Sequence, residues 1–149
     1  MRKLWIAALL LAVTAVSCAI PKTARNGSAA DVLTEILKEF AQEEGFVYTD
    51  EANTDHPLTD AMLARMFPDE GDTADLFGVV SSAVYFSKRF CEHEIIVFKL
   101  CDISHTDTVV RLLQKRAKKK ENAVVFADGV YVYLICTDEN EAISRYLQE

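Results

Sequence analysis

The strand-length run at residues 130–136 constrains the fold most, because its side chains are apolar on both faces. Side chains alternate across a strand, so Tyr131, Tyr133 and Ile135 share one face, and aliphatic residues occupy the other. One face must pack against helices. The other is either covered by a second helical layer from residues 29–67, or it leaves the two tyrosines as an aromatic shelf for a sugar or peptide.

Hydrophobic periodicity divides the rest of the chain into helical and extended segments. Ser28 with Asp31 forms a capping-box pattern, and Asp128-Gly129 between two apolar runs indicates a hairpin. The predicted elements are helix 29–44, a short helix capped by Thr59, a helical turn in 73–78, strands 83–87 and 94–100, helix 105–119 capped by Ser104, strands 123–127 and 130–136, and a last helix capped by Asp138. Hairpin-joined strands pair antiparallel, so we predict an α+β domain with about four strands in the order α-α-β-β-α-β-β-α.

The first residues have the pattern of an export signal. Arg2 and Lys3 precede an almost wholly apolar stretch, Leu4 to Val16, and Ser17-Cys18 then resembles a lipoprotein cleavage site. We therefore predict a signal peptide at 1–17, lipid attachment at Cys18, a tether at 18–27 and a single domain at 28–149. The extracytoplasmic face of the membrane is the expected location.

Two other fates of this segment stay open. Cleavage after Ala19 would release a secreted protein, and an uncleaved signal would act as an anchor. Residues 1–17 contain two basic residues and no acidic residue, so their removal changes the net charge from −7 to −9. An acidic domain of this kind has no general attraction for nucleic acid.

The order of elements from about residue 30 resembles that of small lipoproteins of Gram-positive bacteria that carry a domain of unknown function. The similarity lies in a Met-rich short helix before the first strand and in segments 94–99, 122–125 and 129–135. The resemblance implies a lipid-anchored envelope protein. It implies no catalytic residue, because no activity is assigned to the family.

Cysteine and histidine residues offer two candidate chemistries. Cys91-x-His93 and Cys101-x3-His105 have ligand-like spacing, but the strand between them separates the pairs by more than ~20 Å, which excludes one shared zinc ion. Cys91 and His93 lie two residues apart and are a candidate nucleophile and base. We expect Cys91, Cys101 and Cys136 to be reduced and buried as small apolar side chains.

A basic run, Lys115 to Lys120, ends the third predicted helix, where positive charge complements the helix dipole. Its lysines are also a candidate contact with anionic lipid or wall polymer. These are Lys115, Lys118, Lys119 and Lys120. The acidic residues between 50 and 75 form no EF-hand loop, and no phosphate loop or dinucleotide motif occurs, so we expect neither metal nor cofactor.

The sequence favours a non-catalytic binding module of the cell envelope, whose partner is an envelope protein, a wall component or a small ligand. The alternative is a small cell-envelope hydrolase that uses Cys91 and His93. An open pocket with a third polar partner beside these two residues would favour the hydrolase, and an exposed aromatic patch without such a triad would favour binding.

Overall fold

The computed structural model describes residues 25–69, 71–89 and 92–149. Its helices are α1 (Ala29–Glu39), α2 (Asp60–Met66), α3 (Thr106–Ala117) and α4 (Asn140–Gln148). Its strands are β1 (Gly45–Thr49), β2 (Val79–Ser87), β3 (Glu94–Leu100), β4 (Val124–Asp128) and β5 (Tyr131–Cys136). Short 3₁₀ turns occupy Asp72–Leu76 and Ile103–His105. The predicted signal peptide, Cys18 and Cys91 lie outside the described residues.

The strands form one antiparallel sheet in the order β1-β2-β3-β5-β4. The predicted α+β class is confirmed, but the strand number and element order are wrong, because β1 lies between the first two helices. Helix α1 ends at Glu39 and Phe40 is already extended, so Gly45 begins a strand instead of ending a helix. A Cβ atom at Gly45 would lie 2.3 Å from the Phe86 carbonyl oxygen, so the close pairing with β2 needs glycine there.

Helices cover both faces of the sheet. α1 and α4 pack on the face that carries Tyr131, Tyr133 and Ile135, and α2 and α3 pack on the face that carries Val132 and Leu134. Both tyrosine rings are buried as a result. The possible aromatic shelf at Tyr131 and Tyr133 is therefore not present in this structure. The alternative of a covering layer from residues 29–67 holds only for α1, because α4 completes that layer and α2 lies on the opposite face.

Two of the predicted helix caps are confirmed. The Ser28 hydroxyl accepts from the Asp31 amide, and Thr59 caps α2 in the same way. Ser104 and Asp138 do not cap α3 and α4: a 3₁₀ turn precedes α3, and Glu139 is the residue before α4.

The β4–β5 hairpin turns one residue later than predicted. Asp128 pairs with Tyr131, so the central turn residues are Gly129 and Val130. Only Gly129 has positive φ, at 58°. This is the pattern of a type II′ turn, which has glycine at its first central position, in place of the expected type I′ turn.

The two ends of the sheet differ in what lies beside them. At the tether end, Gly27 accepts hydrogen bonds from Lys99 Nζ (2.8 Å) and Tyr131 Oη (2.6 Å), and the Ala29 amide donates to Ser81 Oγ (2.9 Å). At the lysine end, where β3 begins, Lys120 Nζ lies 2.5 Å from Glu94 Oε2. The six residue steps of β3 separate the two ends by roughly 20 Å.

Candidate functional site

A buried ionic cluster closes the lysine end of the sheet. Glu94 is fully buried, and its Oε1 accepts from Arg116 Nε at 2.5 Å while Oε2 faces Lys120 Nζ. Arg116 also donates to the Met66 carbonyl at 2.8 Å, which ties α3 to the end of α2. Because a buried carboxylate is tolerated only when it is paired, both basic residues are needed by the fold.

The predicted lysine contact surface divides into two parts. Lys120 pairs with Glu94, and Lys115 Nζ lies 2.5 Å from the buried Asp72 carboxylate, whose hydrogen bond raises the pKa of Lys115. Lys118 and Lys119 are exposed. Two of the four lysines therefore hold α3 to the domain, and a surface contact by this cluster stays a prediction that depends mainly on the other two.

A polar cleft of about 520 Å³ opens beside the ionic cluster and contains His93 and Cys136. His93 Nε2 lies 3.5 Å from the Asp138 carboxylate, and no described residue forms a hydrogen bond with its buried Nδ1. The Cys136 Sγ lies 3.3 Å from the Glu92 carbonyl and 3.4 Å from the Glu121 carbonyl, and either oxygen can accept its single proton. The cleft thus brings a thiol, an imidazole and a carboxylate to one place.

The Cys136 thiol is not activated. Burial raises its pKa, the Lys120 ammonium acts against that effect, and the Glu94 carboxylate adds to it. A thiol with a raised pKa stays protonated at neutral pH and is a poor nucleophile. Sequence reasoning paired His93 with Cys91, which lies outside the described residues. It missed Cys136, because that residue comes close only through the pairing of Glu94 with Cys136 across β3 and β5.

The described cysteines lie at opposite ends of the sheet. Cys101 follows β3 at the tether end and is exposed, contrary to the expectation of burial, whereas Cys136 is buried at the lysine end as expected. Their separation by about the length of β3 is far beyond the ~7 Å limit for a disulfide. His93 and Cys101 are likewise too distant for one zinc ion. The described residues contain no group of three or more potential metal ligands.

The most exposed large apolar side chains among the described residues gather at the tether end. Phe77 is 88% exposed, Ile103 67% and Val80 59%, and we call these three residues the apolar patch. Val80 is exposed because it is the extra residue of a β-bulge where β2 pairs with β3. The Cys101 amide donates to the Gly78 carbonyl at 2.9 Å, which joins the two segments that carry the patch.

A glycine fixes the backbone beneath the apolar patch. A Cβ atom at Gly78 would lie 2.2 Å from Cγ of His105, whose ring also contacts Phe77 edge-on at 6.3 Å between centroids. Since the His105 ring fills the space under Gly78, Phe77 is directed outward. A mainly apolar groove of about 740 Å³ adjoins Phe77, between α2 and the turn Asp72–Leu76, with Asp60 at its rim.

The apolar patch is not evident from local sequence patterns. These patterns favour a helical turn at 73–78 and a strand that begins at 83, whereas β2 begins at Val79. The apolar run from Leu76 to Val80, between Asp75 and Ser81, was the available signal. Its exposure depends on the bulge and on the His105 contact, which local sequence does not encode.

Comparisons with protein-family models, curated proteins and solved structures found no match. The resemblance to the lipoprotein family therefore stays a prediction. In the described part of the chain no helix has the length and apolar character needed to cross a bilayer.

Proposed function

We propose that this protein is a lipid-anchored, non-catalytic interaction module on the extracytoplasmic face of the cell membrane. The export signal and Cys18 support the anchor. The observation that carries the proposal is the apolar patch, which exposes three large apolar residues on a domain whose core is otherwise covered on both faces of its sheet. Large exposed apolar residues grouped at one end of a domain are a feature of interaction surfaces.

The protonated thiol in the polar cleft supports binding over chemistry. A thiol nucleophile needs a lowered pKa or a base that removes its proton, and burial has the opposite effect on Cys136. One observation favours the alternative hydrolase: His93 lies beside the Asp138 carboxylate, which is an orientation used by catalytic histidines. That reading also needs Cys91, about which the structure supplies no geometry.

Site-specific photocrosslinking in intact cells tests the proposal. A photoreactive amino acid at position 77 should form adducts with an envelope component. The matched control is position 46 in β1, which is also an exposed phenylalanine but lies at the lysine end. Equal adducts at both positions, or none at position 77, would contradict an interaction through the apolar patch.

The anchor has its own test. Cys18→Ala should abolish labelling by a clickable fatty acid, so that no lipidated form of the protein is found in the membrane fraction. Unchanged labelling would show that the lipid-attachment prediction is wrong.

The alternative hydrolase has a separate test. His93→Ala and Cys91→Ala should each remove any hydrolysis of wall peptides by the purified protein. Hydrolysis that neither variant affects would exclude these residues as its catalysts.

A further inference from the structure

The first described residues, beginning at Arg25, are attached to the domain by several hydrogen bonds. Arg25 donates to the Glu35 carboxylate at 2.8 Å and to the Tyr146 carbonyl at 3.2 Å, and Gly27 is bound by Lys99 and Tyr131. The segment is thus attached to α1, α4 and the two central strands. Seven residues, 18–24, lie between the end of the predicted signal peptide and Arg25, and the first of them is the predicted lipid attachment site Cys18.

The length of that connection limits where the domain can lie. Seven residues span at most about 25 Å when fully extended. Their root-mean-square span as a flexible chain is about 15 Å. A domain on a tether of this length is therefore held close to the bilayer, and the tether end of its sheet is the end nearest to the point of attachment.

The apolar patch lies at that same end. The Ala29 amide binds Ser81, which is the immediate neighbour of Val80 in the patch. Ile103 and Phe77 are joined to this region through the Cys101–Gly78 hydrogen bond. The apolar patch therefore lies at the end of the domain that the tether holds close to the bilayer.

We infer that the apolar patch docks into the interfacial region of the bilayer that holds the lipid anchor, so that Phe77, Val80 and Ile103 insert among the headgroups. This inference rests on the proposed lipid anchor. The tether supplies an effective concentration in the millimolar range, so a patch of only three residues needs little intrinsic affinity to stay docked. Phenylalanine and aliphatic side chains favour that environment because docking removes apolar surface from water.

Charge around the patch favours zwitterionic lipid. The carboxylates of Asp75 and Asp102 adjoin the patch in sequence, while the cations nearest to the chain exit, Arg25 and Lys99, already bind protein groups. Anionic headgroups would be repelled by the two carboxylates. Docking should therefore be stronger on phosphatidylcholine vesicles than on vesicles enriched in phosphatidylglycerol.

Docking in this orientation places the lysine end away from the bilayer. Lys118 and Lys119 lie beyond the start of β3, roughly 20 Å from the patch along the sheet. A bilayer contact through these lysines and a bilayer contact through the apolar patch are therefore alternatives. An experiment that reports on both ends separates them.

Tryptophan fluorescence provides that report, because the only tryptophan of the chain is Trp5 in the predicted signal. Full-length lipidated protein carrying Phe77→Trp would be reconstituted in phosphatidylcholine vesicles that contain brominated acyl chains. Phe46→Trp is the matched control at the lysine end, and Ile103→Trp is a second reporter in the patch. All three positions are exposed, so the larger ring is tolerated.

The expected result is quenching at positions 77 and 103 that is several-fold stronger than at position 46, together with a blue shift of emission at the first two. Vesicle flotation is scored first: protein that fails to float overturns the proposed anchor and this inference together. Floating protein with no quenching at 77 and 103, or with stronger quenching at 46, overturns the inference alone. Quenched tryptophan in the wild type would show that the signal is retained, which overturns the proposed lipid anchor and this inference together.

Discussion

Replacing Glu94 with glutamine should strongly destabilise the domain, because it removes the buried negative charge that pairs with both Arg116 and Lys120 while leaving the shape of the site intact. Neither basic partner can recover its hydration by turning outward, since the side chains of Arg116 and Lys120 are only 16% and 7% exposed. Removal of one partner of a buried ion pair typically costs about 3–5 kcal/mol. That is a large share of the ~5–15 kcal/mol stability of a domain.

Urea unfolding measures the effect. With a slope of about 2 kcal/mol per molar urea, the expected loss lowers the unfolding midpoint by about 2 M. The matched control is Glu141→Gln, because Glu141 also pairs with an arginine, Arg145, but at 3.4 Å on the exposed surface of α4. Exposed pairs of this kind are worth less than about 1 kcal/mol. If the two substitutions lower the midpoint equally, burial is not what makes the Glu94 cluster important and the argument fails.

Three further predictions concern side chains of β3 and β5 or their flanks. Tyr131→Phe should lower the free energy of unfolding by about 1 kcal/mol, because it removes the hydrogen bond to Gly27. Tyr133→Phe should be neutral or stabilising by about 1 kcal/mol, because the buried Tyr133 hydroxyl has no partner among the described residues. Urea unfolding that gives the same sign for both variants would contradict this prediction. Burial raises the pKa of Tyr133, so this phenol loses its proton in the unfolded chain at lower pH than in the folded protein. The free energy of unfolding should therefore fall as the pH rises above about 10, and it should fall less steeply in Tyr133→Phe. Parallel profiles of stability against pH for the two proteins would contradict this prediction. Iodoacetamide should modify Cys101 in the folded protein and Cys136 only after unfolding, as read by mass spectrometry, and early modification of Cys136 would refute its burial.

Local patterns predicted the central part of the fold well. The β-branched and aromatic run at 94–100 became β3 with the predicted bounds, and the alternation at 131–135 correctly assigned side chains to two faces. Both signals depend only on neighbouring residues along one strand. β1 was missed because Gly45 was interpreted as a helix stop, although Phe46 to Thr49 has strand-forming composition.

The sites were less predictable, because they depend on pairing between distant segments. Lys120 was interpreted as part of a surface cluster, and only the packing of α3 against the sheet shows that it belongs with Glu94. Cys136 joins His93 through strand pairing that spans the whole α3 connection. The outward direction of Phe77 likewise needs the His105 ring beneath Gly78.

The attachment of Gly27 to β3 and β5 has a mechanical consequence. Tension applied through the N-terminal segment is delivered by Lys99 and Tyr131 to the two strands at the interior of the sheet. Neither strand can be peeled away singly, because each is paired on both sides. The two side-chain hydrogen bonds to Gly27 must break before the load passes along the chain to α1 and then to β1 at the edge of the sheet. Resistance at the N-terminal end is then set by the rate at which these two bonds rupture, and not by the strength of the whole sheet.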